Sequence, residues 1–254
     1  MGKDRSIVCA RAWEKAFFGF LLALIHLICD LSTWMYVQYQ ILRRKLQRKN
    51  CKADFKRIKS LSQHQLTKIP QHIALVFMES ELELTQVASL IIWCVASGCQ
   101  YLSLYDALGS LKRQQVELIA KLSLLSESLE NDDKLHLSWM NNEKTGNGRA
   151  VNNNSVQISL LSREDGQADI VRSAQALARA NVPVNEEAIE ERLNRMKVDP
   201  ELLLRFGLAR SNQGYPPWQI RLSEIHDLDS HHCGPDQFSQ VLLKYSRCEQ
   251  RFGR

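Results

Sequence analysis

Short apolar runs of strand length alternate with longer stretches of helical period, and this alternation limits the possible folds more than any other feature of the chain. A strand, a helix and a second strand running the same way form the repeating unit of a parallel sheet, because parallel neighbours must be joined by a long crossover. Residues near 72–77, 101–105, 155–160 and 202–206 read as strands. Between the first two, residues 84–97 put Val87, Leu90, Ile91, Cys94 and Val95 on one helical face, and Gly98 supplies the stop. Residues 169–180 read as another helix with Ile170, Ala174 and Leu177 inward. Residues 131–154 are polar and Asn-rich with Gly146 and Gly148, which predicts a mobile loop or insertion. The expected fold is α/β, a single mainly parallel β-sheet with flanking helices. Ligands of such sheets bind beyond the carboxyl ends of the strands, where Met78, Asp106 and Arg205 fall.

With 254 residues, 44% hydrophobic and 24% charged, the chain can bury one sizeable core. The net charge of +5 is local in origin. Arg43, Arg44, Lys45, Arg48, Lys49, Lys52, Lys56, Arg57 and Lys59 follow directly on the most hydrophobic stretch, residues 16–39. A nucleic-acid platform would interleave such a cluster with aromatic side chains, and this one does not. A membrane surface accounts for it. The uncharged part of the stretch, residues 16–29, is short of a bilayer span and is followed by Asp30, whose carboxylate is costly at depth. Three readings fit: a transmembrane helix, a helix lying in the interface, and an uncleaved signal-like anchor. Trp34, Tyr36 and Tyr39 resemble an interfacial belt, and the basic flank suits the cytosolic side. The expected organisation is a short tail (1–15), an anchor (16–39), a basic juxtamembrane linker (40–68) and one α/β domain (69–254).

A cytosolic domain sits in a reducing compartment, and the seven cysteines contain no C-x-x-C pair, so neither a disulfide framework nor a zinc site is indicated. Cys94 and Cys99 read as small buried thiols. His231-His232-Cys233 lies between Asp229-Ser230 and Gly234-Pro235, which predicts a solvated turn in preference to a metal site. Asn153-Asn154-Ser155 forms a glycosylation sequon that would matter only in the opposite orientation. Asp106, just past a strand, reads as a loop cap or helix start.

Several motifs occur in the order found in one family. Ile69-Pro70-Gln71-His72-Ile73-Ala74-Leu75-Val76-Phe77-Met78-Glu79 resembles the opening strand of the cis-prenyltransferases, whose active members end it in Asp-Gly-Asn. Here Met78 occupies the Asp slot, and a thioether is no ligand for a hard cation. Glu79 could serve only after a one-residue slip, which turns the side chain to the other face. Leu202-Leu203-Leu204-Arg205-Phe206-Gly207, followed by Pro217-Trp218-Gln219 and Glu224, resembles the family's diphosphate-binding strand and its Trp-Gln-x-x-Tyr-x-Glu segment. Ser211 replaces the second Arg, Gln213 its Ser, Ala209 the Glu and Leu222 the Tyr. Leu108-Gly109-Ser110-Leu111 replaces a Ser-x-Glu-Asn loop, and Gln167 replaces an Arg in the run from Ser162 to Val171. Arg251-Phe252-Gly253 keeps an Arg-x-Gly tripeptide. A frame retained while its chemistry is thinned resembles one branch, the Nogo-B receptor type accessory subunits of dehydrodolichyl diphosphate synthase.

That resemblance implies a non-catalytic subunit paired with a catalytic homologue on the cytosolic face of the endoplasmic reticulum. The pair would add isopentenyl diphosphate to farnesyl diphosphate for dolichol synthesis and protein N-glycosylation. Mg²⁺ and the allylic diphosphate would sit on the partner, while Arg251 and Gly253 would help bind isopentenyl diphosphate in trans. Arg205 would bind phosphate or hold a salt bridge to Glu224 or the loop, and Trp218 and Glu224 would lie at the subunit interface. Two alternatives remain open: a membrane receptor or scaffold for lipid traffic or signalling, and an autonomous enzyme using Glu79 as its metal ligand.

Overall fold

The computed structural model describes residues 17–32, 34–35, 50–130, 133–140, 155–193 and 198–249. The chain divides into two compact units, Met1–Lys49 and Asn50–Arg254. In the first, residues 17–32 form helix α1, which leaves Phe17, Phe18, Phe20 and Leu27 exposed. Trp34 is exposed as well, and Tyr36 and Tyr39 lie outside the described residues. Among the described residues, no helix is long and apolar enough to cross a membrane.

The second unit is built on a six-stranded sheet, with strands β1 (His72–Phe77), β2 (Tyr101–Asp106), β3 (Leu137–Met140), β4 (Val156–Leu161), β5 (Leu202–Phe206) and β6 (Glu224–Leu228). Their order is β3-β4-β2-β1-β5-β6, and every pairing is parallel. The helices are α2 (Cys51–His64), α3 (Leu84–Ser97), α4 (Ser110–Arg113), α5 (Gln115–Ser126), α6 (Gln167–Arg179), α7 (Glu186–Arg192) and α8 (Pro235–Arg247).

Strand β1 is central and every one of its residues is buried, which is why it reads as a near-continuous apolar run. Its side chains alternate between faces. Ile73, Leu75 and Phe77 enter the larger core with Phe55 and Ile58 of α2, Ile91 of α3, Leu118 of α5 and Phe238 of α8. Ala74 and Val76 face a smaller core with Tyr105, Leu161, Leu203 and Tyr215. Helix α3 follows the expected face, with Val87, Leu90, Ile91 and Cys94 buried and Val95 half-buried. It stops at Gly98, whose φ of 91° is left-handed and whose N–H donates to the Val95 carbonyl.

The elements depart from the sequence reading in four places. Leu137–Met140, within the segment expected to be a loop, forms edge strand β3 against β4. Strand β6 was not foreseen, because its exposed side chains mask the apolar signal. The segment expected to be a juxtamembrane linker contains α2, which is started by the Asn50 side chain accepting from the Ala53 N–H and buries Phe55 and Ile58. In α6 the buried residues are Ser173 and Leu177, while Ile170 and Ala174 are only half-buried.

Candidate functional site at the strand carboxyl ends

Parallel strands bring Met78, Asp106, Ser162, Gly207 and Asp229 to one end of the sheet, each at or just past the last residue of its strand. The Met78 N–H donates to the Phe206 carbonyl at 2.9 Å, extending the β1–β5 ladder by one step. Gly207, at φ 123°, lies so close that a Cβ there would stand 3.1 Å from the Met78 Cβ. The first side chain past the end of β1 is thus the Met78 thioether, its backbone held against β5.

Glu79 does not face an open site. Its carboxylate pairs with His231 Nδ1 and also accepts the His231 backbone N–H at 3.2 Å. The Glu83 backbone N–H donates to His231 Nε2 at 3.1 Å, so the imidazole proton resides on Nδ1 and is directed at Glu79. His231 is 2% exposed, and its ring packs edge-on to Phe77 and 3.9 Å, centroid to centroid, from His232. Cys233 is buried beside them, its carbonyl accepting from Gln86 Nε2 at 3.1 Å. The expected turn is present at 231–232, but its expected solvation is corrected: His231 and Cys233 are buried and His232 is half-buried, and the turn latches the end of β1 to the start of α8. Among the described residues no group of three or more His, Cys, Asp or Glu side chains could hold a metal ion. A thioether and a carboxylate already satisfied by a histidine do not fit Mg²⁺, which demands oxygen ligands in near-octahedral geometry.

Asp106 is 4% exposed and accepts the backbone N–H groups of Ser110 at 2.6 Å and Leu111 at 3.0 Å. It starts helix α4, as expected from its position past a strand. Arg205 has a specific carboxylate partner, reached through the β5–β6 register: Nε and Nη2 donate to the two oxygens of Asp227 at 2.6 and 2.9 Å. Nη1 donates to Asn212 Oδ1 in the following loop at 3.3 Å. The guanidinium's hydrogen bonds hold the Asp227 carboxyl below its usual range. Of the two expected partners the loop is met at Asn212, while Glu224 is corrected to Asp227, because Glu224 opens β6 and pairs in register with Leu202, at the far end of the strand from Arg205.

Glu224 instead meets Cys248, whose thiol donates to Oε2 at 3.4 Å, and lies 3.7 Å from His226 Nε2. Trp218 and Gln219 sit on the short 3-10 turn Pro217–Gln219. The Trp218 indole N–H and Gln219 Oε1 are buried with no hydrogen-bond partner among the described residues. Leu222, which replaces the family's Tyr, is 62% exposed. Arg251 and Gly253 lie outside the described residues.

A cavity of about 560 Å³ opens beside the ends of β2 and β4, lined by Ala107, Arg163, Gln167, Ala168, Gln213 and Gly214. Two departures from the family pattern, Gln167 and Gln213, thus share one wall. The wall is pinned by Tyr105, whose hydroxyl donates to the Gln213 carbonyl at 2.6 Å. Burial pushes the Tyr105 phenol up to about 12, so it acts as a neutral donor. Sequence reading missed Asp227 and Tyr105, and the pairing of His231 with Glu79, because each acts through a partner that the fold brings near.

A six-stranded sheet with every described pairing parallel, and with Glu79, Asp106 and Arg205 held by internal partners at its carboxyl end, defines an α/β protein of the open-sheet class. No protein-family profile matches the sequence. The chain is 34% identical over 200 residues to the human dehydrodolichyl diphosphate synthase complex subunit NUS1, covering 74% of this chain and 68% of that protein. The mouse subunit is 35% identical over 201 residues, covering 74% and 67%. The Saccharomyces cerevisiae subunit is 26% identical over 284 residues, covering 95% and 75%. The chain belongs to the NUS1 family of dehydrodolichyl diphosphate synthase complex subunits. Among solved structures, a probable undecaprenyl diphosphate synthase from Campylobacter jejuni is similar with a TM-score of 0.49 at 18% identity, over 74% of this chain and 100% of that one. Lavandulyl diphosphate synthase from Lavandula x intermedia gives 0.49 at 16% identity, over 73% and 99%.

Proposed function

We propose that this chain is the accessory, non-catalytic subunit of a heteromeric dehydrodolichyl diphosphate synthase. Its catalytic partner condenses isopentenyl diphosphate with farnesyl diphosphate, feeding dolichol synthesis and protein N-glycosylation. The observation that carries the reading is the internal pairing at the strand ends: Glu79 with His231, Arg205 with Asp227, and Asp106 with the first N–H groups of α4. To grip a diphosphate or a metal, each group would first have to break a charge-assisted contact. Mg²⁺ and the allylic diphosphate accordingly belong to the partner.

The contribution of this chain is the Arg251-Phe252-Gly253 segment. A guanidinium and a backbone N–H unobstructed by a side chain bind the diphosphate of isopentenyl diphosphate in the partner's site. Strand β6 supports assembly, because among the described residues it is an open edge of the sheet that begins with Glu224 and exposed Ile225 and is preceded by exposed Leu222 and by Trp218. The exposed apolar side chains of α1 support attachment to the endoplasmic reticulum membrane with the α/β unit on the cytosolic side.

The test is incorporation of labelled isopentenyl diphosphate onto farnesyl diphosphate with Mg²⁺, by this chain alone and with a catalytic homologue. Silence alone and turnover in the pair are expected. Deleting residues 251–254 is expected to abolish turnover while leaving co-purification intact. Turnover by this chain alone would make Glu79 a ligand after all, and a pair no more active than the partner alone would leave the scaffold reading.

A further inference from the structure

The loop between α2 and β1 reaches across to the last turn of α8. Thr67 Oγ1 donates to the Ser246 carbonyl at 2.5 Å, and Lys68 Nζ donates to the Cys248 carbonyl at 2.6 Å. The same ammonium stands 4.5 Å from the centroid of the Tyr245 ring. Tyr245 in turn donates to Glu201 Oε2 at 3.3 Å, an oxygen that also accepts the Gln71 N–H at 2.6 Å. On the other side the Cys248 thiol donates to Glu224.

The last carbonyls of a helix have no partner within it, so a helix end without external donors frays. Here a neighbouring loop supplies them, and a cation at this end also complements the helix dipole. Arg251 follows Cys248 by three residues in the sequence. We propose that Thr67 and Lys68 are positioning residues for the Arg251-Phe252-Gly253 segment, clamping the last turn of α8 so that the segment starts from a fixed point. The proposal rests on the reading that this segment acts in the partner's site.

The size of the effect follows from chain geometry. Counted from Cys248, Arg251 is three residues along the chain, a contour length of at most about 10 Å. With the last turn unwound from Lys244, the tether grows to about seven residues, roughly 24 Å. Effective concentration then falls by about 4-fold if it scales as the −3/2 power of length, and by about 13-fold if it scales with accessible volume.

The test uses the complex of the full chain with a catalytic partner, comparing Lys68→Met, Thr67→Val and Lys68→Arg with the parent and with the deletion of residues 251–254. Both Lys68→Met and Thr67→Val are expected to raise KM for isopentenyl diphosphate by about 4- to 13-fold, with kcat, KM for farnesyl diphosphate and co-purification unchanged. Lys68→Arg should restore the parent value. Amide exchange at residues 244–248 should quicken in the first two variants. An unchanged KM while the deletion abolishes turnover would overturn the clamp alone. Full activity of the deleted complex would overturn the reading beneath it. A rise with Lys68→Met and none with Thr67→Val would mean that the ammonium meets the diphosphate itself, and would overturn the clamp as well.

Discussion

Replacing His72 with Gln should flatten the acid limb of the stability profile. His72 opens β1 and is 1% exposed. Its Nδ1 meets the Val198 carbonyl, which can only accept, so the ring proton is on Nδ1. Nε2 then accepts from Ser103 Oγ at 3.0 Å, and Ser103 Oγ accepts from the Tyr215 hydroxyl at 2.9 Å. A neutral imidazole fits this chain of donors and acceptors. Burial pushes the pKa from 6.5 down to about 4, with the Val198 bond acting weakly the other way. Between these values the unfolded chain binds a proton that the folded chain refuses, so stability rises with pH there. The contribution is fully present above pH 6.5, falls as pH drops, and is exhausted near pH 4. The gap corresponds to about 3 kcal/mol in total, of which about 2 kcal/mol is lost between pH 7 and pH 5. Urea unfolding of parent and His72→Gln proteins at the two pH values isolates the effect, because all other titrations cancel in the difference. The parent should lose about 2 kcal/mol more than the variant. Parallel losses, or an imidazole titrating near 6.5 by NMR, would refute the reasoning.

Two further outcomes are expected. At Gly166 a Cβ would stand 2.1 Å from the Gly214 carbonyl oxygen, so Gly166→Ala must push apart the start of α6 and the wall of the cavity. A loss of about 2–3 kcal/mol, seen as a melting point lowered by about 5–10 °C, is expected, and an unchanged melting point would mean the junction yields freely. A double-mutant cycle of Arg205→Gln and Asp227→Asn should give a coupling of about 1 kcal/mol in stability, with KM for isopentenyl diphosphate unchanged in the complex. A raised KM with no coupling would return Arg205 to phosphate binding.

Much of the frame was legible in the sequence. Strands β1 and β5 end where the apolar runs end, because strands covered on both faces are mostly apolar, and the one polar interruption of β5, Arg205, is carried by its pairing with Asp227. The Gly98 stop and the Asp106 cap were equally plain, since both depend on the conformation of a few neighbouring residues. Strand β6 was hidden because an edge strand carries Glu224, His226 and Asp227 at no cost in burial. The His231-His232-Cys233 run misled because its composition is that of a turn, while its burial comes from Phe77, Glu79 and Gln86, all far away in the chain.

The sequence by itself determined the element pattern, the family and the thioether at position 78, because these depend on residue identity and local periodicity. Tertiary structure alone decided where the remaining charges point. The parallel register sets Arg205 opposite Asp227, and the close approach of β1 to the start of α8 sets Glu79 against His231. A loop before β1 is likewise brought onto the carbonyls that precede Arg251 by a few residues. Hydrogen bonds reach only about 3 Å, so whether a charged group meets a ligand or a neighbour is settled by which distant segments the fold brings within that distance.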